Sequence, residues 1–190
     1  MRLWLVRHAA PVVAPGLCYG RLDVAADPTA TAAAAQALRR ALPPRWAGWH
    51  SGLQRARALA QALGAPPLAD WRLDARLDEI DFGAWEGLPW DAVGPGALDA
   101  WVANFAHHRP GAGESVADLL RRVHAALHEV RALHPEGDVV WITHAGVIRA
   151  VQWLLEHGPA APRRAEQWPA QAPGWGQWRI VALPGLGIFP

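Results

Sequence analysis

The chain has 190 residues, 52% of them apolar, and a formal net charge of +1 at pH 7. That composition suits one globular domain over residues 1–190, and cations so scattered exclude the basic footprint that nucleic acid or an anionic membrane requires. Lysine is absent, so every fixed side-chain cation is an arginine, and the single cysteine, Cys18, excludes an intrachain disulfide. With neither a secretory signal pattern nor an apolar run of about eighteen residues, the sequence leads us to expect a soluble cytoplasmic protein.

In chain order, residues 2–6 form a short, nearly continuous apolar run, the pattern of a strand covered on both faces. A Pro- and Gly-rich loop follows over 11–28. The alanine-rich stretch 29–42 predicts a helix stopped by Pro43-Pro44. Residues 45–50 read as a second strand and 52–63 as a second helix, closed by Gly64 and Pro66-Pro67. A third strand is predicted at about 67–72, then a loop, "LDEIDFGAWEG". One or two short helices lie between 88 and 109. Ser115 caps a long amphipathic helix to about 133, with Val116, Leu119, Leu120, Val123 and Leu127 at helical spacing. Residues 138–143, "DVVWIT", are the clearest buried strand, and "HAGVIRAVQWLLEH" follows as a helix. The Pro-, Gly- and Trp-rich tail becomes periodic only at 177–183, which predicts a last strand at a sheet edge. Alternation of this kind predicts an α/β fold: a three-layer sandwich with a mostly parallel central sheet and helices on both faces.

Two of these strands end in histidine, at His8 and His144. In a sheet of this class ligands bind beyond the carboxyl ends of the strands, so the two imidazoles are expected across one pocket. Arg7, and Arg55 on the first turns of the second helix, would bring two guanidiniums to the same place. Arginine binds phosphate oxygens through paired hydrogen bonds, so such a cluster suits a phosphoryl dianion.

The segments "LVRHAAP", "HSGLQRAR", "LDEIDFGAWEG", "GESVADLLRRV" and "ITHAGVIRA" occur in this order. In order and spacing they resemble the histidine phosphatase superfamily, the phosphoglycerate mutase-like fold, up to about residue 151. The stretch "RHAAPVVAPGLCYGRLD" resembles the α-ribazole phosphatase branch. The resemblance implies His8 as nucleophile, Arg7, Arg55, His144 and the backbone amide near Ala145 as the phosphate pocket, and Glu79 as proton donor. Asp78 and Asp81 compete for that last part. A neutral His8 needs an acceptor for its second ring proton, for which a carbonyl of loop 16–20 is the candidate, and a protonated His144 would help to hold the phosphoryl oxygens. The implied reaction is phosphomonoester hydrolysis through phosphohistidine, without metal or organic cofactor. Its expected substrate is a small molecule, α-ribazole 5′-phosphate of cobalamin biosynthesis. A broad small-molecule phosphatase or a phosphoglycerate mutase is the alternative within enzymes. A catalytically inactive protein that binds phosphorylated ligands is a third reading, which the complete set with Glu79 argues against.

The departures point the same way. Ala9 and Ala10 stand where many members have glycine and then glutamate or glutamine, and Ala14 where mutases usually have asparagine; Pro11 is tolerated in the α-ribazole branch. Gly52 replaces a usual proline, which would loosen the helix start. Cys18, Tyr19 and Gly20 in the pocket-side loop, and Trp85 and Trp90 flanking Glu79, are candidate substrate contacts. His124 and His128, four apart on one helix, lack a third ligand at metal spacing and read as an exposed face. Trp4, Trp141 and Trp153 are expected in the core. The sequence does not set an oligomeric state.

Overall fold

The structure is a computed structural model that describes residues 1–183. Its strands are β1 (Arg2–Arg7), β2 (Ala47–His50), β3 (Arg72–Leu73), β4 (Asp138–Thr143) and β5 (Trp178–Ala182), and its helices are α1 (Pro28–Ala41), α2 (Gln54–Leu63), α3 (Trp90–Val93), α4 (Pro95–Ala103), α5 (Val116–Leu133) and α6 (Ala145–His157). The strand order is β3-β2-β4-β1-β5; β5 runs antiparallel to β1 at the edge and the other pairs are parallel.

Local chemistry accounts for most boundaries. The Asp27 carboxylate accepts from Ala30 N–H and Pro28 opens α1, while Ser115 Oγ accepts from Asp118 N–H to start α5. Every residue of β4 is buried, as its apolar run requires. The predicted second strand begins two residues late, at Ala47. The third is displaced from 67–72 to Arg72–Leu73, because this two-residue strand is set by pairing with Trp49 and His50 and both its side chains are exposed, leaving no apolar pattern to read. Residues 184–190 lie outside the described part, and with them a small piece of the tail.

Two apolar layers flank the sheet. Leu3, Leu5, Val139 and Trp141 pack with α5 and α6 on one face, and Trp4, Val6, Val140 and Ile142 with α1 and α2 on the other. Trp4, Trp141 and Trp153 are core residues. Among the described residues no helix is long and apolar enough to cross a membrane.

What places the site is register. Arg7 pairs with Thr143 across β1 and β4, and His50 with Ile142 across β2 and β4. His8 N–H donates to Thr143 O at 3.0 Å and Ser51 N–H to Ile142 O at 3.0 Å. His8, His144 and Ser51 therefore leave the sheet side by side at its carboxyl edge.

Candidate active site

The two histidine rings stand with centroids 5.0 Å apart. His8 Nδ1 lies 2.7 Å from the carbonyl of Ala9. A carbonyl only accepts, so Nδ1 carries the proton and Nε2 keeps its lone pair. The acceptor is thus the next residue and not loop 16–20, since the chain turns at the strand end and brings its own carbonyl under the ring. Burial first, then the Arg55 and Arg7 charges, push His8 down to about 3 against the opposing Ala9 bond, so the ring is neutral. His144 is completely buried at the start of α6, and burial, then His8 and Arg55, hold it well below the ordinary histidine range. Both effects disfavour the imidazolium, so a protonated His144 needs a negative charge beside it to offset them.

Arg55, on the first turn of α2, is fully buried. Its Nη1 and Nη2 donate to the carbonyls of Leu22 (2.8 Å) and Gly20 (2.5 Å), its Nε has no partner among the described residues, and its guanidinium lies 5.2 Å over the Tyr19 ring. Arg7 is braced by the tail: Nη1 donates to Pro173 O at 3.1 Å and Cζ lies 5.3 Å over the Trp175 ring. Gly176 N–H donates to His8 O at 2.9 Å, and Arg7 N–H to Gln177 O at 3.0 Å. The segment without periodicity is therefore a strap across the end of β1.

Glu79 caps α6. Both its carboxylate oxygens accept from Gly146 N–H at 3.1 Å, and one also accepts from Ile80 N–H at 3.0 Å. A Cβ at position 146 would sit 2.2 Å from Glu79 Oε1, so a side chain there would push the carboxylate off this cap. Ala145, expected in the phosphate pocket, is the first residue of α6, whose opening amides are free of intrahelical partners. The competing acids are engaged elsewhere: Asp78 accepts from Ser51 Oγ and Gly52 N–H, both at 2.7 Å, and Asp81 from Gly83 N–H at 2.7 Å. Gly52 does more than loosen a helix start, because a proline there could not donate to Asp78.

A cavity of about 350 Å³ opens from this edge, bounded by Arg7, Glu79 and Gly146 on one side and by Phe82, Trp90, Trp101, Phe105 and Trp168 on the other. Trp90 and Trp101 lie nearly parallel, at 9° and 6.5 Å between centroids, with Phe82 edge-on to both. Trp90 is at the wall as expected, whereas Trp85 is not among the lining residues: it packs edge-on against Trp90 and Trp101. Cys18 is wholly buried, with its thiol pushed up to about 12 chiefly by burial, and Tyr19 and Gly20 support Arg55; none of the three lines this cavity. His124 and His128 pair with each other on α5, rings edge to face.

Sequence reasoning missed Trp101, Phe105, Trp168 and Arg149 in the cavity, and Ser51 beside His144. Arg149 had a signal, since it lies three residues after Gly146 on the same helix face. The aromatics come from two segments more than sixty residues apart and carried none.

Known proteins resemble this chain in sequence and in fold. The chain is 30% identical over 160 residues to a putative phosphoserine phosphatase 2 of Hydrogenobacter thermophilus, covering 81% of this chain and 78% of that one. It is 35% identical over 131 residues to glucosyl-3-phosphoglycerate phosphatase of Mycobacterium tuberculosis, covering 63% and 56%. A mycobacterial glucosyl-3-phosphoglycerate phosphatase complexed with VO3 superposes with a TM-score of 0.76 at 31% identity, over 95% of this chain and 92% of that one. A phosphoglycerate mutase of Thermus thermophilus gives 0.71 at 31%, over 97% and 95%. The histidine phosphatase superfamily (branch 1) matches residues 3–172. With its family match spanning most of the chain and both histidines at one sheet edge, this protein belongs to the histidine phosphatase superfamily and is a phosphatase-type enzyme.

Proposed function

We propose that the protein hydrolyses small phosphomonoesters through a phosphohistidine on His8, and that its substrate carries a flat aromatic group, with α-ribazole 5′-phosphate of cobalamin biosynthesis as the first candidate. The observation that carries the reading is His8 itself: a buried ring kept neutral by burial and by the charges of Arg55 and Arg7, with its Nδ1 proton held by Ala9, which leaves the lone pair on Nε2. In the first step Nε2 attacks phosphorus in line, the P–O bond to the leaving group breaks, and Glu79 gives the departing alkoxide its proton. Arg7, Arg55, His144 and the amide of Ala145 take the charge of the equatorial oxygens. In the second step Glu79 accepts a proton from water as water displaces His8, releasing phosphate.

The aromatic cavity beside Glu79 supports the substrate class. Nearly parallel Trp90 and Trp101, with Phe82 edge-on to both, offer aromatic surface on which a planar ring packs, each such contact adding roughly 0.5–1.5 kcal/mol beyond burial. Ala10 and Ala14 offer no polar side chain to a glycerate, which weighs against a phosphoglycerate mutase. A screen of phosphomonoesters by kcat/KM tests this: α-ribazole phosphate and aromatic nucleoside phosphates should exceed phosphoglycerates and phosphoserine. Efficient phosphoglycerate interconversion, or a preference for phosphoserine or glucosyl-3-phosphoglycerate, would overturn the substrate reading.

A further inference from the structure

Behind the histidine pair runs a second chain of buried groups to which no role has yet been given. His144 Nε2 lies 2.8 Å from Ser51 Oγ, and Ser51 Oγ lies 2.7 Å from Asp78 Oδ1. Gly52 N–H donates to the same carboxylate oxygen at 2.7 Å, and Leu53 N–H donates to Ser51 Oγ at 3.1 Å. Ser51 and His144 are 0% exposed and Asp78 6%.

The protons along this chain can be assigned by counting donors. A serine hydroxyl has one hydrogen, and an ionised carboxylate only accepts, so the Ser51 hydrogen goes to Asp78. The oxygen of Ser51 is then left to accept, once from Leu53 N–H and once from the imidazole. His144 is thereby fixed as its Nε2–H tautomer. Its other nitrogen, Nδ1, is buried and has no hydrogen-bond partner among the described residues. A lone pair there would repel the oxygen of a phosphoryl group held between His8 and His144.

We propose that Ser51 and Asp78 are positioning residues that fix the His144 tautomer and enable Nδ1 to take up one proton when a phosphoryl dianion binds. The site gains one proton and one dianion together. The proton comes from solvent or from the P–OH of the monoanion; no bond to phosphorus changes in this step. Nε2–H stays on Ser51, and the imidazolium charge is stabilised through that hydroxyl by Asp78. The charged and titratable groups around His144 are His8, whose ring lies beside it after β1, the positive charges of Arg7 from β1, Arg55 from α2 and Arg122 from α5, which all act on it, Asp78 through Ser51, and Glu79 on the neighbouring amide of α6. The cations and burial keep His144 neutral until a dianion offsets them. The placement of the phosphoryl group rests on the reading under Proposed function, but the tautomer does not.

Nitrogen-15 NMR of histidine-labelled enzyme, with inorganic phosphate as the probe, tests both parts. Ligand-free wild type at pH 7.5 should show His144 protonated at Nε2 and bare at Nδ1, and phosphate should convert it to the doubly protonated form. Above the second pKa of phosphate, uptake of one proton makes affinity fall about tenfold per pH unit. Ser51→Ala should lose the single-tautomer signature and bind phosphate at least about tenfold more weakly, whereas Ser51→Thr, which keeps the hydroxyl, should restore both. A ligand-free His144 protonated at Nδ1, or Ser51→Ala with wild-type spectrum and affinity, overturns the proposal. Should Ser51→Ala not fold, the wild-type spectra decide alone. Phosphate that leaves both His8 and His144 signals unmoved would overturn the site reading as well as the proton uptake, and a wrong tautomer only the role of Ser51 and Asp78.

Discussion

His8 has a folded-state pKa of about 3, below its ordinary value of 6.5, because burial and two guanidiniums oppose its charge. The unfolded chain therefore binds more protons than the folded one as pH falls below about 6.5, and stability present above that pH is lost on the way to about pH 3. The slope from one such histidine approaches about 1.4 kcal/mol per pH unit, and His144 is shifted in the same direction. Urea unfolding at pH 7.5, 6 and 5 should show this loss, and His8→Asn should flatten it; parallel curves for the two proteins would contradict the burial of a neutral His8. Glu79 makes a different prediction. Glu79→Gln should slow hydrolysis of an alkyl phosphate about a hundredfold or more, the usual size of general acid catalysis, but slow p-nitrophenyl phosphate much less, because a phenolate leaves without a proton. Equal losses on both substrates would limit Glu79 to the dephosphorylation step or to capping α6. At this scale the sequence was legible where a histidine follows a buried strand, as His8 and His144 do. Ser51 was not, because its partners lie 93 and 27 residues away.

Among the elements, the strap between α6 and β5 connects tail to chemistry. Trp175 is exposed, yet it covers the guanidinium of Arg7, and the carbonyls of Pro173 and Ala170 take N–H groups of Arg7 and Arg149. A cation–π contact at such a position contributes roughly 0.5–1 kcal/mol. Trp175→Ala should therefore raise KM by about two- to fivefold with kcat nearly unchanged, and an unaltered KM would show that Arg7 needs no such cover. The long amphipathic helix α5 and the buried strand β4 were readable because periodicity and continuity of apolar residues are local signals. The strap and β3 were not: one is held by backbone bonds to Arg7 and His8, the other by two residues of β2, and neither has an apolar pattern of its own.

For the whole molecule, a sheet with both apolar faces covered carries four contributions to one carboxyl edge: Arg7-His8 from β1, Ser51 after β2, His144 after β4, and Glu79 from the loop that caps α6. Order and edge were legible from alternating strands and helices; of the aromatic cavity only Trp90 was, since Trp101, Phe105 and Trp168 reach it only in the folded chain. Arginines supply the positive charge at this edge, so full activity should persist in EDTA, and a loss restored by magnesium or zinc would contradict that role. The central claim is the covalent step at His8. Enzyme mixed with phosphorus-32-labelled substrate, then denatured at alkaline pH where phosphohistidine survives, should carry label on the peptide containing His8 and on no other, and His8→Ala with an unchanged circular dichroism spectrum should carry none. Label on Cys18 or a serine, or turnover by His8→Ala, would contradict it.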